Sequence, residues 1–207
     1  MCGRFAIFDE AQNEELLRII GEINHRLKDN PEAPVLKTGE IFPTDNVPIL
    51  VSRGGKQSAH PAKWGFPNFH KPGVIINAKA ETLEEKPMFH KSFYEKRCII
   101  PANGYFEWQK DGKEKTKYFI HSEKPLIYMA GLYDIFRDKN GKAYTGFVVI
   151  TTEPSSVVSP VHNRMPVILS ADMADRWLTE TNPDELRHLL RPNEDVIAQI
   201  ACSQNQL

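Results

Sequence analysis

Cysteine is scarce in this chain: three residues in 207, at positions 2, 98 and 202, widely separated and odd in number. That excludes a disulfide framework, and without paired Cys/His spacing or an HExxH segment no zinc site can be read either. Reduced thiols are expected, with no metal and no cofactor. Apolar runs of bilayer-spanning length are missing too. The first residues lack a basic segment followed by an apolar one and soon reach Asp9, Glu10, Glu14 and Glu15, which is unlike a signal peptide. A cytoplasmic protein without membrane association is the expectation. No internal repeat, low-complexity tract or linker divides the chain, so one domain spanning 1–207, acting as a monomer, is expected. An excess of charge is also lacking: the formal net charge is −1, whereas nucleic-acid-binding domains are usually basic overall. The distribution is less even than the total, since residues 60–120 hold 11 Lys/Arg against 7 Asp/Glu. A localised basic face and an ordinary solvated surface both fit that count.

What is present reads as alternating short strands between two helical ends. Leu16, Leu17, Ile20, Ile23 and Leu27 fall at helical spacing within Glu14 to Lys28, predicting an amphipathic helix after a short strand at Cys2 to Phe8. Residues 30–39 read as a loop. Strands are predicted at Val47 to Ser52, His60 to Phe66, Gly73 to Ala80, Cys98 to Ile100, Tyr105 to Trp108, Lys117 to His121, Leu126 to Leu132 and Tyr144 to Thr151. Asp111-Gly112 and Asn140-Gly141 mark turns between them. A helical turn is expected at Pro87 to Tyr94, and short helices at Ala171 to Leu178, Asp184 to Leu190 and Glu194 to Ala201, with Ser170, Asn182 or Pro183, and Asn193 near their starts. The predicted class is α+β, with a curved, barrel-like, mostly antiparallel sheet flanked by helices.

The opening Met1-Cys2-Gly3-Arg4-Phe5 carries the sharpest chemical signal. Removal of Met1 would leave Cys2 as the terminus, with an amine and a thiol on adjacent carbons. An α-amine has a pKa of about 7.7–8.0, so roughly a tenth is free base at pH 7 and able to attack an aldehyde. The neighbouring thiol can then add to the imine carbon and close a five-membered thiazolidine. The plain alternative is a small buried residue that starts a strand.

Four other segments bear on chemistry. Asn77, Lys79 and Glu81 alternate along Ile76 to Thr82 and would share one side of an extended segment, able to orient a sugar and a phosphate or merely to face solvent. Glu107 lies among Tyr105, Phe106 and Trp108, where burial would raise its pKa toward neutrality and suit it to proton transfer. An exposed glutamate opposite core aromatics fits the pattern equally. His162 and Arg164 occupy a loop bracketed by Pro160 and Pro166, an arrangement suited to an acid or base beside a phosphate grip. Trp64 and Phe66 flank Gly65 and would either stack on bases or fill the core.

Taken in order, MCGRF, WGF, NAKAET, RCIIPANGYFEW, AGLY and HNRMP resemble the blocks of the SOS-response-associated peptidase (SRAP) family of abasic-site-processing proteins. The likeness runs from Cys2 to about Leu178, leaving 179–207 as an expected helical extension. The resemblance implies a DNA-damage protein that binds single-stranded DNA and traps abasic sites as a thiazolidine crosslink through Cys2, with self-processing before it. It also implies that Asn77 orients the sugar, Glu107 shuttles protons and His162 assists imine formation and reversal. Arg4, Lys79 and Arg164 would contact phosphates, with Trp64 and Phe66 on the DNA side. Lys79 stands where the family usually has arginine, which keeps the charge but loses the planar fork. The competing reading is an amidohydrolase or peptidase with an N-terminal cysteine, because glutamine amidotransferase domains also begin Met-Cys-Gly.

Overall fold

Residues 2–8 and 13–193, and the backbone of 198–201, are described by the computed structural model. Its strands are β1 (Phe5–Ile7), β2 (Gly39–Ile41), β3 (Asn46–Arg53), β4 (Lys56–Trp64), β5 (Phe66–Pro67), β6 (Val74–Ile75), β7 (Asn77–Lys79), β8 (Arg97–Ala102), β9 (Gly104–Asp111), β10 (Glu114–His121), β11 (Ile127–Arg137), β12 (Ala143–Thr152), β13 (Met165–Pro166), β14 (Ile168–Leu169) and β15 (Ala198–Ala201). The helices are α1 (Glu14–Leu27), α2 (Pro87–Glu95), α3 (Ala171–Thr179) and α4 (Pro183–Leu189).

Strands β12, β4, β3, β8 and β11 pair in that order and β11 returns to β12, closing a five-stranded barrel. All of these pairings are antiparallel except β4 with β12. Closure leaves the barrel strands with two buried faces, which is why their sequences run apolar instead of alternating with polar residues. Ile49, Val51, Cys98, Ile100, Phe147 and Val149 point into one cluster with Phe5, Ile7 and Tyr105. Their neighbours Leu50, Ile99, Val148 and Ile150 point into a second cluster with Ile19 and Ile23 of α1, Phe89 and Phe93 of α2, and Trp177 of α3. A second sheet, ordered β15-β10-β9-β1-β2, contributes β1 and Tyr105 to the first cluster.

Gly131 and Gly65 are among the glycines this packing requires. Gly131 in β11 lies so close to β8 and β12 that a Cβ would meet Ile100 Cδ1 at 2.5 Å and the Val148 carbonyl at 2.8 Å. Gly65 has φ +124°, and a Cβ there would lie 2.7 Å from Val74. Its bend lets Trp64 enter the inner cluster while Phe66 joins the outer one.

Helix starts follow their side-chain caps: Asn13 accepts from Leu16 N, Ser170 from Met173 N and Asn182 from Asp184 N. One expected helix is overturned. Of the helix expected at Glu194 to Ala201, residues 194–197 lie outside the described residues, and 198–201 form β15, antiparallel to β10 from Tyr118↔Ala201 to His121↔Ala198. The segment after residue 178 is therefore not purely helical. β10 pairs with β9 along one edge only, so its other row of backbone donors and acceptors is better satisfied by a strand than left beside an isolated turn of helix.

Candidate active site

Strand register brings the chain's beginning to Glu107. β1 pairs with β9 through Phe5↔Tyr105 and Ala6↔Gly104, and Phe106 N donates to the Arg4 carbonyl at 2.9 Å. Continuing that antiparallel register sets residues 2 and 3 alongside Phe106 to Trp108. Cys2 is fully buried, its thiol 3.7 Å from the Arg4 carbonyl. Burial first, and the nearby Glu107 carboxylate second, push the thiol pKa well up, so the sulfur holds its proton at neutral pH.

Asn77 is delivered by a parallel pairing of β7 with β12, Val149↔Asn77. Its Nδ2 donates to the Cys2 carbonyl at 2.8 Å, while Oδ1 is buried without a hydrogen-bond partner among the described residues. An unfilled acceptor of that kind costs about 1–3 kcal/mol until something donates to it.

Glu107 is only 3% exposed. Burial raises its carboxyl pKa, against the opposing positive charge at the amino terminus and at His162. His162 Nε2 lies 3.9 Å from Glu107 Oε2. His162 Nδ1 lies 3.0 Å from the Arg164 backbone N–H and 3.1 Å from the Arg164 carbonyl, contacts that hold the ring with Nε2 facing Glu107. The loop is fixed by β13, whose Met165 pairs with Thr152, and by Arg164 Nη2, which donates to the Thr151 carbonyl at 2.6 Å. Tyr105 belongs to the same group: it is buried, its hydroxyl has no hydrogen-bond partner among the described residues, and burial first, then the nearby Cys2 and Glu107, raise its pKa.

Cys2, Asn77, Glu107 and His162 thus converge. The cations are arranged around them, each in a different state. Arg164 forms a two-pronged ion pair with Glu81, at 2.6 and 2.9 Å. Arg4 pairs with Glu40 at 2.8 Å and stacks over Phe42, 3.7 Å from the ring centroid, with Trp108 at 5.5 Å. Lys79 is exposed and forms no ion pair among the described residues. Phe42 is presented by the turn Phe42-Pro43-Thr44-Asp45, in which Asp45 Oδ2 accepts from Phe42 N at 2.9 Å. Thr44 takes φ +79° there, a strained value for a β-branched residue.

Trp64 and Phe66 require correction as candidate base-stacking groups. Trp64 is fully buried, 4.8 Å from Phe5 and stacked near Phe147. Phe66 packs 4.9 Å from Phe136 and is 1% exposed. Neither ring can meet a base without unpacking the core. Exposed aromatic surface is found instead at Phe42 and Phe69. Sequence reasoning passed over Phe42 and Glu40, which lie in a segment without a block of its own. Tyr105 carried a signal, since it shares a strand face with Glu107. Among the described residues no group of three or more His, Cys, Asp or Glu side chains could hold a metal ion, and no helix is long and apolar enough to cross a membrane.

The family model described as SOS response associated peptidase (SRAP) matches residues 1–205. The chain is similar to the abasic site processing protein YoqW of Bacillus subtilis, 35% identical over 201 residues, covering 93% of this chain and 87% of that protein. It is 30% identical over 183 residues to the abasic site processing protein YedK of Escherichia coli, covering 87% of this chain and 80% of that one. A solved protein of Bacteroides thetaiotaomicron shares the fold with a TM-score of 0.81 at 24% identity, over 99% of this chain and 93% of that one.

Proposed function

Because this chain belongs to the SOS response associated peptidase (SRAP) family, with abasic site processing proteins among its relatives, we propose that it captures abasic sites in single-stranded DNA. The capture is covalent, a thiazolidine formed on Cys2 once the Met1–Cys2 peptide bond has been hydrolysed by self-processing. The observation that carries this reading is the convergence of buried Cys2 with Asn77, Glu107 and His162.

An abasic sugar is mostly a closed hemiacetal. Opening it moves the anomeric hydroxyl proton away and delivers a proton to the ring oxygen, work suited to a carboxyl whose pKa has been raised toward neutrality. Glu107 has that environment. The Cys2 amine then attacks the C1′ aldehyde and one water leaves, giving an imine. His162, with Nε2 toward Glu107, relays the protons of that dehydration. Finally the Cys2 sulfur bonds to the imine carbon while the thiol proton passes to the nitrogen, so the ring closes without further loss of atoms. A protonated thiol supplies that proton. Asn77 holds the Cys2 carbonyl and offers Oδ1 to a sugar hydroxyl or to the terminal amine.

Arg4, Lys79 and Arg164 serve the phosphates, and exposed Phe42 replaces the two buried rings as a stacking surface. The protein acts as a monomer in the cytoplasm and needs no cofactor. The alternative, an N-terminal-cysteine amidohydrolase or peptidase acting on an acyl substrate, would show as glutaminase or peptidase turnover by Cys2 without a DNA adduct. Denaturing gels with abasic single-stranded DNA test the proposal. Trimmed protein should leave a boiling-resistant shifted band. Protein retaining Met1 and the Cys2→Ala variant should not, and Cys2→Ser should give only an adduct that needs reduction to survive. A Met1-retaining sample that crosslinks as fast as trimmed protein would refute it.

A further inference from the structure

Both arginines assigned to phosphates are already occupied. Glu81 takes the two terminal nitrogens of Arg164 at 2.6 and 2.9 Å, and Glu40 Oε1 lies 2.8 Å from Arg4 Nη1 and 2.8 Å from Lys117 Nζ. Glu81 lies outside its partner, 44% exposed against 15% for Arg164, whereas Glu40 and Arg4 are equally exposed at 26%. In each arginine, Nε is buried without a hydrogen-bond partner among the described residues. The carboxyls are held in the ionised form. Glu81 lies below its usual pKa chiefly through the Arg164 hydrogen bonds, and Glu40, despite burial acting the other way, through those of Lys117 and Arg4.

We propose that Glu40 and Glu81 are specificity-determining residues that stand in for phosphates on Arg4 and Arg164, so that a DNA backbone must displace them to bind. The proposal rests on the reading of single-stranded DNA as the partner. A strand entering the site exchanges one ion pair for another at each arginine, and its phosphates gain little from these contacts. Intact strands are therefore released readily, and only a strand whose aldehyde reacts with Cys2 is retained. Two separate elements use the same device: Glu40 on β2 beside β1, and Glu81 following β7.

Fluorescence anisotropy with an undamaged single-stranded oligonucleotide, which offers no aldehyde, tests this at fixed salt. Glu81→Gln and Glu40→Gln should each tighten binding about two- to fivefold, the range of a partly exposed ion pair, and Glu81→Ala should act in the same direction. The gain from Glu81→Gln should vanish when Arg164→Ala is already present. If Arg164→Ala weakens binding while Glu81→Gln and Glu81→Ala weaken it as well or leave it unchanged, the carboxylate positions the arginine and the proposal is overturned, with the DNA reading intact. If Arg4→Ala and Arg164→Ala leave affinity and its salt dependence unchanged, the DNA reading of these arginines fails and the proposal with it.

Discussion

Glu107→Gln separates two consequences of burying a carboxyl at 3% exposure. The substitution keeps size and shape and removes only the titratable proton. If Glu107 opens the abasic sugar, crosslinking to abasic DNA should slow by about 10²–10⁴-fold, the usual contribution of an acid–base group. Reaction with a small free aldehyde, which has no ring to open, should slow much less. Stability should move the other way. Burial raises the folded-state pKa of Glu107, so ionising it costs free energy in the fold that it does not cost in the unfolded chain. That cost is absent below the unfolded carboxyl pKa, grows as pH rises toward the folded one, and is complete above it. The variant should therefore melt higher than wild type at neutral pH, with the gap closing in acid. Single-turnover crosslinking followed on denaturing gels, with thermal melts across a pH series, measures both. Equal crosslinking rates for wild type and variant would refute the proton-shuttle role, and a variant that melts lower at neutral pH would refute the burial argument.

Three further outcomes are expected. Lys79, which has no ion pair to give up among the described residues, should contribute about −0.7 to the slope of log affinity for single strands against log salt, lost in Lys79→Ala; titrations at several salt concentrations check this. Arg97, buried between α2 and α3, donates to the carbonyls of Phe93, Tyr94, Trp177 and Glu180 at 2.5–2.9 Å. Arg97→Ala would strand these helix-end acceptors and should cost about 3–5 kcal/mol in denaturant unfolding, with Arg97→Lys recovering only part. Glu84, hydrogen-bonded by Arg187 of α4 and by Tyr94, has its pKa lowered to about 2. The stabilisation, about 1 kcal/mol after allowing for solvent screening, is present above the ordinary carboxyl pKa and lost as pH falls toward 2. Glu84→Gln should thus lower the melting temperature at pH 7, with the difference shrinking as pH falls through about 2.

Periodicity made the outline of the fold legible. The amphipathic spacing of α1 and the apolar runs of β3, β8, β11 and β12 lie where the pattern sets them, because burial on one stripe or on two faces writes itself into local sequence. Barrel closure is a different matter: the parallel pairing of β4 and β7 with β12 is a long-range choice that no local window records. β15 escaped for a related reason, since its conformation answers to the open edge of β10. In the site, Cys2, Asn77, Glu107 and His162 could be named from their segments and from resemblance, but their mutual distances could not. Trp64 and Phe66 look identical in sequence whether they face bases or the core. The bend at Gly65, which turns one ring into the barrel and the other onto its outer face, decides the matter. Glu40 and Glu81 became interesting only once their arginine partners were visible.

The most direct test of the central claim is the intact mass of the purified protein, alone and after mixing with abasic single-stranded DNA. Protein lacking Met1 should gain the mass of the oligonucleotide less one water, and borohydride should leave that mass unchanged, because a thiazolidine presents no imine to reduce. Protein that stays unmodified, an adduct that takes up two hydrogens on reduction, or an adduct that persists in the same form in Cys2→Ala would contradict it.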